Sequence, residues 1–91
     1  MLRKSVSHKI YFVYIVECAD GSLYTGITTD VVRRIREHNG EGVRGARYTR
    51  AQRPVTLRYA EELASRSEAL KREYAIKQLT RAQKIALCIE K

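Results

Sequence analysis

Nothing in the chain reads as a membrane span. Its longest apolar run, IYFVYIV from Ile10 to Val16, is far short of the ~20 residues a spanning helix needs, and Glu17 ends it. The basic start, MLRKSVSHK, leads into that run with no small-residue cleavage pattern, so a secretory signal is not expected. Cysteine is scarce. Cys18 and Cys88 lie in apolar segments with no metal-ligand spacing around them, which favours free buried thiols in a cytoplasmic protein over a disulfide. Repeats, low-complexity tracts and long linkers are missing. Acidic residues are in deficit: 10 Asp and Glu stand against 18 Lys and Arg, a formal charge of +8 on 91 residues. That surplus draws polyanions, so nucleic acid is the expected partner and a membrane is not. The length suits a basic tail over residues 1–9 and a single domain with one modest core over residues 10–91.

What is present reads as six elements. Ile10–Cys18 is rich in β-branched and aromatic residues and predicts a strand. Ala19-Asp20-Gly21 is a turn, and Ser22–Ile27 a second strand. Asp30 is an N-cap for a helix over Val31–Asn39 that ends near Gly40. Residues 41–52 carry Gly42 and Gly45 without periodicity and predict a loop. Pro54–Leu63 is a third strand, its proline placed at the start, where a missing N–H is tolerated. Ser65 and Glu68 form a capping box for a helix to about Leu79, and Thr80 with Gln83 repeats the device for a last helix, Arg81–Ile89. The order ββαβαα predicts an α+β fold, a short three-stranded antiparallel sheet flanked by helices.

The hairpin VYIVECADGSLYTGIT (Val13–Thr28) carries two tyrosines. A two-residue Asp20-Gly21 loop would pair Cys18 with Leu23 and put Tyr14 and Tyr24 on opposite faces. A three-residue loop with Gly21 left-handed would pair Val16 with Tyr24 and set Tyr14 opposite Gly26, with both tyrosines on one face. Either turn fits the residues. The second gives Gly26 a purpose, because it leaves room for a close approach beside Tyr14.

Charged residues also stand at apolar positions. Val31, Arg34, Ile35 and His38 share one helix face, so Arg34 and His38 flank the side that meets the sheet, while Arg33, Arg36 and Glu37 are expected to point elsewhere. The plain alternatives are an arginine stem snorkelling over the core edge and a histidine at a helix C-terminus. On the later helix Glu73 falls on or beside the stripe of Ala69 and Ile76, where a carboxylate needs a cation. A salt bridge to Arg34 or Arg72 would serve, and so would a metal ion. In the loop, Arg44, Arg47, Arg50 and Arg53 recur every third residue around Tyr48, a pattern suited to phosphate contacts with one aromatic to stack.

These residues together resemble the GIY-YIG nuclease superfamily: Tyr14 in VYIV, Tyr24-Thr25-Gly26 as YTG, TTD followed by paired arginines, Arg34 on a helix and Glu73 on a later one. The likeness covers roughly Tyr11 to Ile89. It is similar to the N-terminal nuclease domain of the bacterial excision-repair incision subunit and to small stand-alone members of the superfamily. The resemblance implies a metal-dependent endonuclease acting on DNA, with RNA as the other substrate class. Glu73 would hold one divalent metal ion, Mg²⁺ or Mn²⁺. Tyr14 and Tyr24 would orient the attacking water, Arg34 would meet charge on the scissile phosphate, and His38 would hydrogen-bond a catalytic tyrosine. Gly26 would let backbone or phosphate pass close, and Arg44, Arg47, Tyr48, Arg50 and Arg53 would bind substrate. Two departures stand out. The first glycine of the family name is replaced in Phe12-Val13-Tyr14, and Ile27 occupies a position where some relatives carry lysine.

Two other readings compete with the nuclease. The same fold and charge would serve a nucleic-acid-binding module with a vestigial site, or a domain whose basic face meets an acidic protein. A protein partner that supplies targeting fits the first two readings.

Overall fold

The computed structural model describes residues 10–40 and 53–89. Among these residues the order is ββαβαα: β1 (Tyr11–Glu17), β2 (Leu23–Thr28), α1 (Val31–His38), β3 (Thr56–Leu63), α2 (Arg66–Lys77) and α3 (Arg81–Ile89). The expected α+β architecture is the one observed. The sheet order is β2-β1-β3, and both pairings are antiparallel. Arg44, Arg47, Tyr48 and Arg50, as well as the expected tail over residues 1–9, lie outside the described residues.

The central position of β1 explains its unbroken apolar run. Val13, Tyr14, Ile15 and Val16 are all buried, two on each face. Val13 and Ile15 pack with Tyr59 of β3 and with Ala69 and Ile76 of α2; Leu87 and Cys88 of α3 close over the same cluster. Tyr14 and Val16 pack on the other face with Cys18, Val55, Tyr24 and Ile35 of α1. The two longer-range helices α1 and α2 therefore cover opposite faces of one thin sheet. Each fully buried aliphatic side chain here contributes roughly 1.5–3 kcal/mol relative to exposure. Both cysteines are free, as their surroundings suggested.

The helix starts follow the capping chemistry in the sequence. Asp30 Oδ1 accepts from Arg33 N–H at 3.0 Å, and Ser65 Oγ accepts from Glu68 N–H at 3.1 Å. At Thr80 both arms close: Thr80 Oγ1 accepts from Gln83 N–H at 3.1 Å, and Thr80 N–H donates to Gln83 Oε1 at 2.9 Å. β1 is shorter than expected by one residue at each end and α1 by one at its C-terminus, β2 is shifted by one residue, and two other boundaries differ for local reasons. β3 begins at Thr56 rather than Pro54, because the Val55 N–H is taken by Asn39 Oδ1 at 2.6 Å instead of a strand ladder. α2 ends at Lys77 rather than Leu79, because Gln78 and Leu79 donate to carbonyls three residues back, which tightens the last turn.

Candidate active site

The site begins at the hairpin turn. Cys18 N–H donates to Ser22 O at 2.8 Å, Gly21 N–H donates to Cys18 O at 2.9 Å, and Gly21 has φ +88°. This is the three-residue turn with a left-handed glycine. Asp20 holds it by accepting from the Ser22 N–H at 3.0 Å and the Ser22 hydroxyl at 2.6 Å. The resulting register sets Tyr14 opposite Gly26 and Val16 opposite Tyr24. Alternation then places Tyr14, Tyr24 and Gly26 on the face that α1 covers.

The space above Gly26 is occupied by Tyr14 itself. A Cβ at Gly26 would lie 2.6 Å from Tyr14 Oη and 2.8 Å from its Cζ. The glycine therefore lets the ring lie flat across the neighbouring strand and carry its hydroxyl toward the sheet edge. With no Cβ at this position, the close approach anticipated from the sequence is made by a side chain of the same hairpin.

His38 is the last residue of α1 and has 0% exposure. Its Nε2 lies 2.8 Å from Tyr14 Oη, and both Tyr14 and Tyr24 meet the imidazole edge-on, with ring centroids 5.8 and 5.3 Å away. Arg34, one turn earlier, brings its positive charge close to the Tyr14 hydroxyl. Burial, followed by the positive charges of Arg34 and Arg53, holds the His38 pKa down to about 4 against the pull of Glu37. Burial pushes Tyr14 up to about 12, with the nearby Arg34 guanidinium opposing and the charges of Tyr24 and Glu73 adding to the rise. At neutral pH the pair is a neutral imidazole beside a protonated phenol. Tyr14 Oη and His38 Nε2 share one hydrogen bond, whose direction follows the imidazole tautomer. Arg34, Tyr14 and His38 thus converge in one cluster.

The frame behind this cluster is tied by hydrogen bonds. Asn39, following His38, uses its whole side-chain amide on Val55: Oδ1 accepts from Val55 N–H, and Nδ2 donates to Val55 O at 3.1 Å. Arg53 Nε donates to the His38 carbonyl at 2.7 Å. That carbonyl is among the last of α1, where a cation is favoured. Arg53 was expected to contact substrate; here its side chain caps the helix that carries His38 and Arg34.

Glu73 projects from α2 with its side chain 20% exposed, and its Oε2 lies 3.2 Å from Lys77 Nζ, whose side chain is 49% exposed. The two salt-bridge partners anticipated for it are used elsewhere. Arg72 Nε donates to Glu61 Oε1 at 2.9 Å, and Arg34 Nη1 donates to Glu37 Oε1 at 2.9 Å. No group of three or more His, Cys, Asp or Glu able to hold a metal occurs among the described residues. A single partly exposed carboxylate matches a hard ion that keeps most of its waters and takes substrate oxygens, as Mg²⁺ does, and not an all-protein cage.

One surface beside this cluster was not anticipated. A cleft of about 780 Å³ runs from the end of β2 and the start of α1 to the first residue of α2. Arg33, Arg34, Glu37 and Arg66 line it, with Tyr11, Ile27, Thr28 and Thr29. Arg33 and Glu37 were expected to point away from Arg34, yet they share its cleft: Glu37 Oε2 lies 3.6 Å from Arg33 Nε while its other oxygen takes Arg34. The carboxylate bends both arginines toward one rim. Arg66 had no sequence signal, because only the fold brings the start of α2 to the same opening.

The profile of the GIY-YIG catalytic domain family matches residues 10–86. The chain is 59% identical over 85 residues to the UPF0213 protein DP2720 of Desulfotalea psychrophila, covering 93% of this chain and 76% of that one. It is also 59% identical over 78 residues to the UPF0213 protein VNG_2274C of Halobacterium salinarum, covering 86% and 99%. The solution structure of the UPF0213 protein BH0048 from Bacillus halodurans superposes with a TM-score of 0.58 at 45% identity, over 90% of this chain and 85% of that one.

Proposed function

Because the chain belongs to the GIY-YIG catalytic domain family, we propose that it is a metal-dependent endonuclease that hydrolyses phosphodiester bonds of DNA. The observation that carries this reading is the cluster of Arg34, Tyr14 and His38, with Tyr14 Oη 2.8 Å from Nε2 of a neutral, buried histidine. The Tyr14 hydroxyl is held by His38 and stands beside a guanidinium that favours negative charge on its oxygen.

The residues take the following roles. A phenol held near pKa 12 is a poor base by itself at neutral pH. Tyr14 therefore acts by orienting the attacking water, with its hydroxyl held 2.8 Å from His38 Nε2. Tyr24, stacked edge-on against the same imidazole, holds that ring and directs the water with its hydroxyl. Arg34 faces the charge that grows on the phosphoryl oxygens. Glu73 would hold the divalent metal, which supplies Lewis-acid stabilisation of that charge. Lys77 would have to leave Glu73 Oε2 for the ion to bind. Gly26 keeps the lane open in which the Tyr14 ring lies.

The test is a cleavage panel of labelled duplex, flapped, junction and single-stranded DNAs with Mg²⁺, Mn²⁺ or EDTA, with Glu73→Ala purified in parallel. Metal-dependent cutting by the parent chain and none by the variant is the expected result. A second reading, a binding module with a vestigial site, draws on the Glu73–Lys77 pair, which satisfies the carboxylate without a metal. Equal binding of DNA by both proteins and no cutting under any metal would establish that reading instead.

A further inference from the structure

We propose that the cleft beside the Tyr14–His38–Arg34 cluster is a second phosphate subsite, in which Arg66 and Arg33 hold the backbone phosphate next to the scissile one. The inference rests on the endonuclease reading and adds residues and a direction to it.

Three features of the cleft carry the argument. The first is charge. Arg33, Arg34 and Arg66 face it against one carboxylate, Glu37, whose two oxygens are already engaged by Arg33 and Arg34. Among the described residues Arg66 takes part in no ion pair. Guanidiniums gathered on one opening repel one another unless an anion joins them, and phosphate matches the planar fork of arginine. The second is continuity. Arg34 belongs to both the cleft and the catalytic cluster, so a strand with its scissile phosphate at Arg34 has its neighbouring phosphate within the cleft. The third is size and lining. About 780 Å³ lies within the range of ~300–1,000 Å³ typical of small-ligand sites, well beyond what one free phosphate fills. Tyr11 and Ile27 give it an apolar wall for sugar and base, and Thr28 and Thr29 stand at the rim.

Ile27 lines the cleft without charge, and a positive group reaches the same opening from across it, on α2. Arg66 sits at the first residue of α2 and Glu73 two turns later, so the helix that carries the metal-binding carboxylate also carries the flanking-phosphate contact. The scissile phosphate would be gripped between α1 and α2, and the strand would leave toward the start of α2.

The experiment measures binding separately from cutting. A labelled DNA oligonucleotide is titrated with the full chain carrying Glu73→Gln, alone and combined with Arg66→Gln, Arg66→Lys, Arg33→Gln or Arg81→Gln, at several salt concentrations. Arg81 opens α3 outside this cleft and controls for net charge. Arg66→Gln should raise Kd about five- to tenfold and lower the slope of log K against log salt by roughly 0.7–0.9, the amount for one lost phosphate contact. Arg66→Lys should keep most of that slope, and Arg33→Gln should act in the same direction as Arg66→Gln. In the cleavage-competent chain Arg66→Gln should raise KM with kcat nearly unchanged. If Arg66→Gln and Arg33→Gln shift Kd and slope no more than Arg81→Gln does, the subsite is refuted and the endonuclease reading survives. If the parent chain neither binds nor cuts DNA, both fall together.

Discussion

Substituting Gly26 by alanine separates two uses of that glycine. One is room for substrate, and the other is room for Tyr14. The added Cβ would sit 2.6 Å from Tyr14 Oη, 2.8 Å from Cζ and 3.2 Å from Cε2. The first two distances are shorter than real Cβ atoms tolerate, so ring or strand must move by more than half an ångström. The ring has little freedom, being 1% exposed and tied to His38 at 2.8 Å. Overpacking of this kind costs typically 1–3 kcal/mol, and a strained or broken Tyr14–His38 hydrogen bond adds about 1 kcal/mol. The expected loss is therefore about 2–3 kcal/mol, or roughly 10–20 °C in Tm for a domain of this size. Urea unfolding followed by far-UV circular dichroism would read it. The penalty should shrink by more than half in a Tyr14→Leu background, where the clashing atoms are gone; that coupling is the signature of direct contact. If Gly26→Ala unfolds within about 0.5 kcal/mol of the parent chain, the packing argument is wrong. Intact stability with lost DNA binding would return Gly26 to the substrate.

Acid should weaken the fold through His38. Its pKa in the fold is held near 4, below the ordinary 6.5, so the neutral form is favoured. The stability this contributes is complete above pH 6.5 and is lost as pH falls toward and through 4, by about 3 kcal/mol. Urea midpoints at pH 7, 5.5 and 4.5 should decline in the parent chain, and His38→Gln should remove the part of the decline above pH 4.5; parallel declines would contradict it. Asn39→Ala should destabilise the chain by about 2 kcal/mol in urea, since both hydrogen bonds to the Val55 backbone go at once. A Tm unchanged to within about 2 °C would show that the Asn39 clamp is not holding β3 to α1.

Much of this protein could be read along the chain because its signals are local. Asp30, Ser65 and Thr80 cap the next few residues, so the helix starts were legible. The β1 run needed only its composition. The candidate catalytic residues stood out as polar groups at apolar spacing, Arg34 and His38 on α1 and Glu73 on α2. Tertiary structure decided everything that depended on distance across the fold. The turn at Gly21 chose between two registers that the residues allowed equally, and with it the face on which Tyr24 lies. Some partners of charged side chains were likewise decided in space: Arg72 meets Glu61 and Arg53 caps the carbonyl of His38, whereas Glu73 and Lys77 meet one turn apart on the same helix. Arg66 reaches the cleft of Arg33 and Arg34 only because α1 and α2, on opposite faces of the sheet, both open at the end of β2. Capping and periodicity act within a few residues and are written in order. Ion pairs and clefts depend on which helices the thin sheet brings together, and that is a property of the folded chain.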